Sequence, residues 1–257
     1  MRRALLPLAE VAPPFVVVGI LWEAFAVLGP FPPKLFPGIE TICWTFIRLA
    51  ANGILAVHAL STILRLTSSF LLAAVLGVVL GITMGRYRWA EDFFLPLVSV
   101  GNPIPGLAYA PLFVIWFGLG NLPAVLLVAF AATFPIVLNT WTGVKAVKEI
   151  WIRAAQSMGA DGQQLFRKVA LPASLPYILA GLRLGLARAW RVLVAVEMLT
   201  SVSLGLGWLI FGAREYLNTD VMLAGIAVIG LVGLVLEKVV FERLEQFTVV
   251  RWGMMQR

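Results

Sequence analysis

One long apolar run in the C-terminal half of the chain carries ionisable side chains that could bind or steer a polar solute. If the run is helical, Arg183, Trp190 and Glu197 fall on one face at heptad spacing. Arg188 and Arg191 turn toward a different face. A charge at the centre of a membrane costs about 2.5–3.5 kcal/mol even on permissive scales, so each group should face a cavity or a partner. The pattern predicts a solute pathway, in which the arginines would suit an anion.

Two of these residues have competing interpretations. Arg183 lies close enough to the cytoplasmic end of the run for its guanidinium to reach the interface, which would make it structural. Glu197, nearer the outer end, is interpreted as part of the pathway or of its outer gate. Glu23, in the first apolar run, is either the counterpart of Glu197 or the partner of an arginine from the later run.

A second candidate for the pathway is a helix break at Asn102-Pro103-Ile104-Pro105-Gly106. Pro103 and Pro105 remove two backbone donors and bias the residues before them toward extended geometry. Irregular backbone at membrane depth is tolerated where it lines a cavity or a protein interior. The break is therefore either a substrate-lining element or a packing kink. Asn139 is either a further pathway residue or an interhelical hydrogen-bonding group.

A polar loop, residues 144–171, interrupts the apolar sequence and has the pattern of a helix, a turn and a second helix. Residues 149–158 are compatible with a helix, and Gly159 is predicted to end it with a positive φ. Asp161 is suited to cap a second short helix through residues 162–168. Such an element would present a compact docking surface for another protein.

The loop resembles a signature of the membrane-spanning permease subunits of bacterial ATP-binding-cassette (ABC) importers, E-A-A-x3-G-x9-I-x-L-P. The matching positions are Arg153, Ala154, Ala155, Gly159, Val169, Leu171 and Pro172. Arg153 replaces the signature glutamate, which reverses a charge, and Val169 replaces isoleucine. The resemblance covers about residues 55–240. The flanking segments are most similar to the nitrate/sulfonate/taurine branch: Pro103-Ile104-Pro105, residues 111–120, Ala180-Gly181-Leu182-Arg183 and Leu204-Gly205-Leu206-Gly207.

The resemblance implies an all-α membrane protein with the six-helix fold of a type I ABC importer permease. It also implies that the loop is the coupling helix, which sits in a groove of the ATPase subunit and passes ATPase closure to the adjoining spans. Ala154, Ala155 and Ala160 would allow close approach, and Arg153 and Asp161 would make charged contacts at the rim. The alternative is a solvated loop with helical propensity.

Composition independently indicates a membrane protein. Hydrophobic residues make up 61% of the chain and charged residues 13%, whereas soluble domains are roughly 45–50% apolar. The formal charge of +7 is spread over the ends of apolar runs, which favours a role in topology over nucleic-acid binding. Six runs could cross a membrane as helices, and none alternates as a barrel strand would. The runs are residues 11–31, 61–85, 93–118, 122–143, 173–201 and 220–241, within one permease domain spanning 1–257.

The basic residues predict the orientation, because cytoplasmic segments of membrane proteins are enriched in lysine and arginine. The predicted inside segments hold Arg2, Arg3, Arg86, Arg88, Lys145, Lys148, Arg153, Arg167, Lys168, Lys238, Arg243, Arg251 and Arg257. The predicted outside segments hold Lys34, Arg48, Arg65 and Arg214. Both termini and the 144–171 loop are therefore expected in the cytoplasm of a bacterial, multi-pass inner-membrane protein.

The first two runs are joined by a proline-rich external turn, residues 30–38. The stretch 39–55 that follows fits a short amphipathic helix on the outer surface or an ordinary packing helix. Prolines at 7, 13 and 14 favour a full first span over a cleaved secretory signal. Cys43 and His58, the sole cysteine and histidine, are interpreted as packing or surface residues, without a disulfide or a metal site.

The sequence contains no G-x-x-x-x-G-K-[ST] phosphate-binding loop. The chain is therefore expected to be a non-catalytic permease without a cofactor, with ATP and Mg²⁺ bound by a partner ATPase dimer. Short loops leave no room for a solute-capturing domain, which implies a separate periplasmic or lipid-anchored binding protein. One coupling loop per chain leads us to expect a second copy of the chain in the complex, surrounded by membrane lipid.

Two other function classes fit less well. A secondary transporter would show two related halves with matching broken helices, and the break near residue 103 has no clear mate. An intramembrane enzyme would need a metal or a nucleophile–base pair, which one histidine and one cysteine do not offer convincingly. The resemblance suggests a small anion such as a sulfonate, taurine or nitrate as cargo. Aromatic carboxylates and heterocyclic vitamin precursors stay open, because relatives in the family carry them.

Overall fold

The computed structural model describes residues 8–199 and 202–241. These residues fold into helices, as the sequence predicts, and the described part of the chain contains no strand. The α-helices are α1 (Leu8–Leu28), α2 (Ile39–Ala51), α3 (Ile54–Arg86), α4 (Arg88–Gly101), α5 (Ala110–Phe117), α6 (Asn121–Lys145), α7 (Glu149–Ser157), α8 (Gly162–Leu165), α9 (Leu171–Glu197), α10 (Leu206–Glu215) and α11 (Thr219–Val235). A 3₁₀ turn at Gly106–Tyr109 leads into α5, and π-helical turns at Phe166–Ala170 and Leu236–Phe241 follow α8 and α11.

Four of the described helices are long and apolar enough to cross a membrane: Ile54–Arg86, Asn121–Lys145, Gly162–Glu197 and Thr219–Lys238. α4 and the helix at Gly106–Phe117 are a fifth candidate, but they meet at 97° and form a broken span or a re-entrant loop. A shorter apolar helix, Ala12–Leu28, lies within the first predicted run. The count of six spans therefore stays a prediction.

The orientation of the termini also stays a prediction. Five of the basic residues on which it depends lie outside the described residues: Arg2, Arg3, Arg243, Arg251 and Arg257. Arg65, which was assigned to the outside, lies well inside α3 because that helix begins at Ile54 rather than at residue 61. The side chain of Arg65 is buried among helices rather than exposed in a loop, and its assignment to the outside stays a prediction.

The fifth predicted span has different boundaries in the structure. Gly162–Glu197 is one continuous helix of 36 residues, so Asp161 caps the start of this long helix and not a separate short one. α9 ends at Glu197, four residues before the predicted end of the run at 201. A further helix, α10, was not predicted and lies between the fifth and sixth runs.

Glycines let α3 pack closely against α6. They recur every fourth residue along α3 and face β-branched residues with the same spacing on α6. The facing pairs are Gly77 with Ile136, Gly81 with Thr140 and Gly85 with Val144. A Cβ on these glycines would lie 2.5–2.7 Å from the opposing Cβ atoms, closer than van der Waals contact permits. Because lipid removes the hydrophobic drive between helices, such close approach supplies much of the packing energy.

The central helix α6 also packs against α9. Gly181 and Gly185 of α9 leave no room for a side chain against Ile136 and its neighbours. Ala132, Ile136 and Leu193 have no exposed surface and form the centre of the largest apolar cluster. α6 thus packs against both α3 and α9. These contacts fix the position of α9 and of the ionisable residues that it carries.

Polar contacts attach α1 and α11 to α2. The Trp22 indole N–H donates to the Pro37 carbonyl (3.0 Å), and the Glu23 carboxylate accepts from the Ile39 N–H (2.8 Å) at the start of α2. The partners proposed for Glu23 from the sequence, Glu197 and the arginines of α9, are therefore not the ones it contacts. Thr45 donates to Asp220 (2.6 Å), so α2 packs on α11.

Candidate functional site

The coupling element, defined as residues 149–172, begins with α7 and a Schellman motif. The N–H of Gly159 donates to the Gln156 carbonyl (2.9 Å), and the N–H of Ala160 donates to the Ala155 carbonyl (3.0 Å). Gly159 has φ of +81°, in the left-handed region that L side chains disfavour. The predicted positive φ is therefore confirmed, and it turns the chain out of α7.

Asp161 caps the helix that follows, as predicted. Its Oδ1 accepts from the backbone N–H groups of Gln163 (2.8 Å) and Gln164 (2.7 Å). The Gln164 side chain accepts in return from the Asp161 N–H (3.4 Å), which completes a capping box. The helix then continues into α9 through the π turn, just before Pro172. Proline cannot donate to the carbonyl four residues earlier, which accounts for an irregular turn at this point.

The outward face of α7 is apolar. Ile150, Ala154 and Met158 recur every four residues, with 69% of Ile150 and 82% of Met158 exposed. Trp151 adjoins them and is half exposed. Ala155 is only 7% exposed and packs inward. Of the two signature alanines, Ala154 therefore presents the freer surface to another protein.

Sequence reasoning missed three apolar residues of this surface, although their helical spacing was a usable signal: Ile150, Trp151 and Met158. Trp151 and Met158 border an open groove of about 960 Å³ between α7 and the start of α9, which Pro172 also lines. Leu171 lies next to this groove, and its carbonyl accepts from the Ser174 hydroxyl (2.8 Å). An apolar centre of this kind is characteristic of a protein interface.

Arg153, the residue that departs from the signature, lies on a second ridge of α7. Its guanidinium pairs with the Glu149 carboxylate one turn earlier (2.6 Å), and both side chains are exposed. At the membrane end of the element, the Arg86 guanidinium lies 4.6 Å from the centroid of the Phe166 ring. This cation–π contact joins the end of α3 to the π turn, so the coupling element contacts two of the long helices.

The predicted break is confirmed at residues 102–105, between α4 and the helix at Gly106–Phe117. Arg188 of α9 stabilises it: Nη1 donates to the Asn102 side-chain oxygen (2.8 Å), and Nη2 donates to the Asn102 carbonyl oxygen (2.5 Å). Because the helix stops here, next to Pro103 and Pro105, that carbonyl has no helical donor. An arginine from a neighbouring helix supplies the missing hydrogen bond. Sequence reasoning identified the break but not this partner.

Glu197 is fully buried, and its ion-pair partner is Arg65 of α3. Arg65 Nη1 donates to Glu197 Oε1 (2.6 Å), and Arg65 Nε donates to the Asn121 side-chain oxygen (2.7 Å). Thr62 Oγ1 lies 3.0 Å from both carboxylate oxygens, and the Gly207 N–H donates to Oε2 (3.0 Å). We call these five residues the Glu197 cluster. Its polar groups are satisfied within one subunit, and a role for Glu197 in gating stays a prediction.

The segment before α10 closes over the Glu197 cluster. Gly205 has φ of +152°, and a Cβ there would lie 2.5 Å from the Glu197 carboxyl carbon. The Gly205 N–H lies 3.0 Å from His58 Nδ1, and the Leu206 N–H donates to the Thr62 hydroxyl (2.9 Å). His58 therefore makes a specific polar contact rather than general packing. The glycines of the Leu204-Gly205-Leu206-Gly207 segment are required because backbone approaches the carboxylate directly.

Arg183 and Trp190 lie elsewhere, in a cavity of about 370 Å³ between α9 and the end of α11. Arg183 Nη2 is 3.4 Å from Glu237 Oε1, and Trp190 packs on Gly233. The heptad spacing predicted one continuous polar face from Arg183 to Glu197. The structure divides that face, because α3 covers its far end and removes Glu197 from the cavity.

Asn139 makes its hydrogen bond within α6 itself. Its side-chain N–H₂ donates to the carbonyl of Pro135 (2.8 Å), one turn earlier. The alternative of an interhelical hydrogen bond is therefore wrong, and a pathway role stays a prediction. Within residues 8–199 and 202–241, no group of three or more histidine, cysteine or acidic residues could hold a metal ion.

Comparisons with known proteins agree with this architecture. Residues 73–246 match the family described as binding-protein-dependent transport system inner membrane component. An ABC transporter permease protein of Methanocaldococcus jannaschii is 40% identical over 222 residues, which cover 85% of this chain and 83% of that protein. The taurine transport system permease protein TauC of Escherichia coli K12 is 36% identical over 222 residues, with 84% and 80% covered.

Among solved structures, a chain of the methionine ABC transporter MetNI in an inward-facing conformation has the same fold. The TM-score is 0.59 at 19% identity, and the match covers 71% of this chain and 90% of that chain. The family match extends over more than half of the sequence, from within α3 to beyond α11. The chain therefore belongs to the binding-protein-dependent transport system inner membrane components, the non-catalytic, multi-pass permease subunits of ABC transporters.

Proposed function

We propose that the chain carries small sulfonates, such as taurine, into the cytoplasm as one half of a homodimeric ABC importer. The family implies partner ATPase subunits and a binding protein that delivers the solute. Similarity to a taurine permease supports a sulfonate cargo. The arginines of α9 supply the positive charge that an anion requires within a membrane. ATP and Mg²⁺ are bound by the ATPase subunits rather than by this chain.

One observation carries the mechanism, namely that the coupling element is continuous with the charged helix of the pathway. Gly162–Glu197 form one helix of 36 residues, about 54 Å long. Asp161 caps one end of this helix, and Arg188, nine residues before its other end, contacts the break. When the ATPase pair closes, movement of the coupling element is therefore transmitted along this continuous helix to the membrane interior. Closure of the ATPase pair would in this way alternate access to the solute.

The surface of a single subunit supports a pairing of two copies. Each subunit offers one coupling element, whereas an ATPase dimer closes two docking grooves. Apolar side chains of α1 are exposed, including Phe15 and Leu28, and such faces require lipid or a second copy as a partner. Native mass measurement of the assembled transporter should give two copies of this chain with two ATPase copies. One permease copy, or two different permeases, would refute the homodimer.

Six spans with both termini in the cytoplasm are the topology that this mechanism needs. Gln156 lies on an exposed part of the coupling element, and Cys43 is the sole native thiol. In a Cys43→Ser background, Gln156→Cys should react with a membrane-impermeant maleimide only after the membrane is opened. Labelling of intact spheroplasts would place the coupling element outside and contradict the topology.

Uptake into proteoliposomes that contain the permease, its ATPase and its binding protein tests the cargo. Radiolabelled taurine should accumulate when ATP is available on the ATPase side, and should not accumulate with a non-hydrolysable analogue. Uptake of aromatic carboxylates or of a heterocyclic vitamin precursor, without any sulfonate uptake, would replace the sulfonate assignment. Uptake driven by an ion gradient without ATP would refute the ABC mechanism.

A further inference from the structure

An open cavity of about 470 Å³ lies beside the helix break and has two arginines in its wall. One face of α9 supplies Leu184, Arg188, Arg191, Val192 and Ala195, whose spacing follows the helical repeat. The rest of the wall comes from Pro105, Gly106, Leu107 and Pro135 of α6. We call this space the arginine cavity. It is separate from the Glu197 cluster and adjoins the Arg183 cavity through Arg191.

Along α9, the arginine cavity lies about half a hydrocarbon thickness from the end of the helix at Glu197. Arg188 lies nine residues before the end of α9 at Glu197, about 14 Å along the axis, and a hydrocarbon core is about 30 Å thick. Charges at this depth are retained when they serve a pathway or a partner. At this depth, both guanidinium groups are therefore expected to have a partner or a role in the pathway.

The described residues do not neutralise the two charges in the cavity. Arg188 contacts the oxygens of Asn102, which carry no formal charge. Arg191 donates through Nε to the Ala187 carbonyl (3.0 Å), and its Nη groups have no hydrogen-bond partner among the described residues. Among residues 8–199 and 202–241, no acidic residue lines the cavity. Glu237, which shares the neighbouring cavity with Arg191, contacts Arg183 instead.

The backbone of the break adds to this positive potential. Gly106 and Leu107, the first residues of the helix that runs to Phe117, line the cavity. A helix N-terminus carries partial positive charge and free N–H groups, which favour an anion. Broken helices inside membranes place such ends toward anionic groups of a solute. The remaining wall is formed by apolar residues, which suits a short alkyl chain.

We propose that the arginine cavity is an anion subsite of the translocation pathway and accepts the sulfonate group of a small alkyl sulfonate. Arg191 donates to the sulfonate oxygens through its free Nη groups, because a guanidinium presents paired donors to such oxyanions. Arg188 is a positioning residue that holds the break in place through Asn102. The inference rests on the proposed import of a small anion, and it locates the charge that this anion meets inside the permease.

A charge series at Arg191 tests the subsite in proteoliposomes with the ATPase and the binding protein. Taurine taken up per ATP hydrolysed should fall at least tenfold in Arg191→Gln and further in Arg191→Glu, while Arg191→Lys keeps most of it. Arg88→Gln is the matched control, since Arg88 is exposed at the start of α4 and should leave uptake unchanged. Equal uptake in wild type, Arg191→Gln and Arg191→Glu would overturn the subsite.

A second measurement uses the wild-type complex and therefore does not depend on variants that assemble poorly. Taurine should protect Arg191, but not Arg88, from a guanidinium-modifying reagent, as followed by mass spectrometry of peptides. Equal modification of Arg191 with and without taurine would count against the subsite. If the wild-type complex carries no sulfonate, the proposed cargo fails. The charge series is then repeated with the solute that it does carry, and unchanged uptake in Arg191→Glu would reject the subsite separately.

Discussion

The coupling element and the Glu197 cluster lie at opposite ends of one long helix and are stabilised in opposite ways. The hydrogen bonds that shape the turn of the coupling element join residues no more than five positions apart, and its apolar face is exposed. The Glu197 cluster is buried, and its ion pair joins residues 132 positions apart. The first is incomplete without a partner, whereas the second is complete within the subunit. Movement driven by the ATPase is therefore expected to begin at the coupling element. The Glu197 cluster is expected to hold α3, α9 and α10 in a fixed arrangement.

The largest expected effect comes from breaking the buried ion pair. Arg65→Met leaves the Glu197 carboxylate without its counter-charge in a site that excludes water, which should reduce the free energy of unfolding by about 3–5 kcal/mol. Glu197→Leu should cost a similar amount, because Arg65 is then unpaired. Thermal unfolding in detergent measures both changes. Single variants as stable as wild type would contradict the interpretation that the Glu197 cluster holds α3, α9 and α10 together.

The double variant Arg65→Met with Glu197→Leu separates a structural role from gating. Removing both charges leaves no unpaired ion, so most of the lost stability should return. Taurine uptake by the reconstituted complex should return with it if the pair only holds helices together. A stable double variant that assembles with its ATPase but transports nothing would instead support Glu197 as a gate.

Alanine at two glycines of the coupling element should have different effects. Gly159→Ala forces a side chain into φ of +81°, which costs roughly 1–2 kcal/mol and should loosen the turn. Gly162→Ala is the matched control, because Gly162 has an ordinary φ and open space around it. Gly159→Ala should weaken ATPase association or transport while membrane insertion continues. Normal uptake and normal solute-stimulated ATP hydrolysis in Gly159→Ala would reject the turn as a coupling device.

A charge placed on the apolar face of α7 should weaken ATPase docking without unfolding the subunit. Met158→Glu is expected to reduce ATPase affinity about tenfold, or about 1.4 kcal/mol, because a carboxylate would be desolvated at the interface. Gln156→Glu adds the same charge at a nearby exposed polar position and should change affinity less than twofold. Titration of purified ATPase onto permease in nanodiscs gives both values. Equal ATPase affinities for the two variants would show that the ATPase docks on another surface of the permease.

The smallest effect is expected at the residue that departs from the family signature. Arg153→Gln removes an exposed pair with Glu149, and such pairs contribute about 0.3–0.5 kcal/mol on a helix. Thermal stability and ATPase affinity should therefore stay close to wild type. A loss of tenfold or more in affinity would show that Arg153 contacts the ATPase directly.

The parts of the candidate site that depend on single residues could be predicted from the sequence. A helix ended by Gly159, a cap at Asp161 and a break at Pro103 and Pro105 each follow from the conformational preferences of single residues. The boundaries of the long helices were less predictable. Apolarity alone did not show that the helix from Gly162 runs unbroken to Glu197, nor that α10 lies beyond it.

Partners of the buried charges could not be read from the sequence. Helical periodicity placed Arg183 and Glu197 on one face, but it carries no information on which helix covers that face. Arg65 looked like an outer charge because it lies near the start of an apolar run, yet α3 begins earlier and buries it. Arg188 likewise gained a partner 86 residues away in Asn102.

The sequence by itself determined the membrane class, the all-helical class and the coupling signature, because apolar run length and capping residues act over a few positions. Tertiary structure alone decided which charges are neutralised. Close glycine contacts bring both α3 and α9 against α6, which pairs Arg65 with Glu197 and leaves Arg191 facing an open cavity. The physical reason is that the cost of a charge in a membrane depends on its neighbours in space, and those neighbours are set by helix packing.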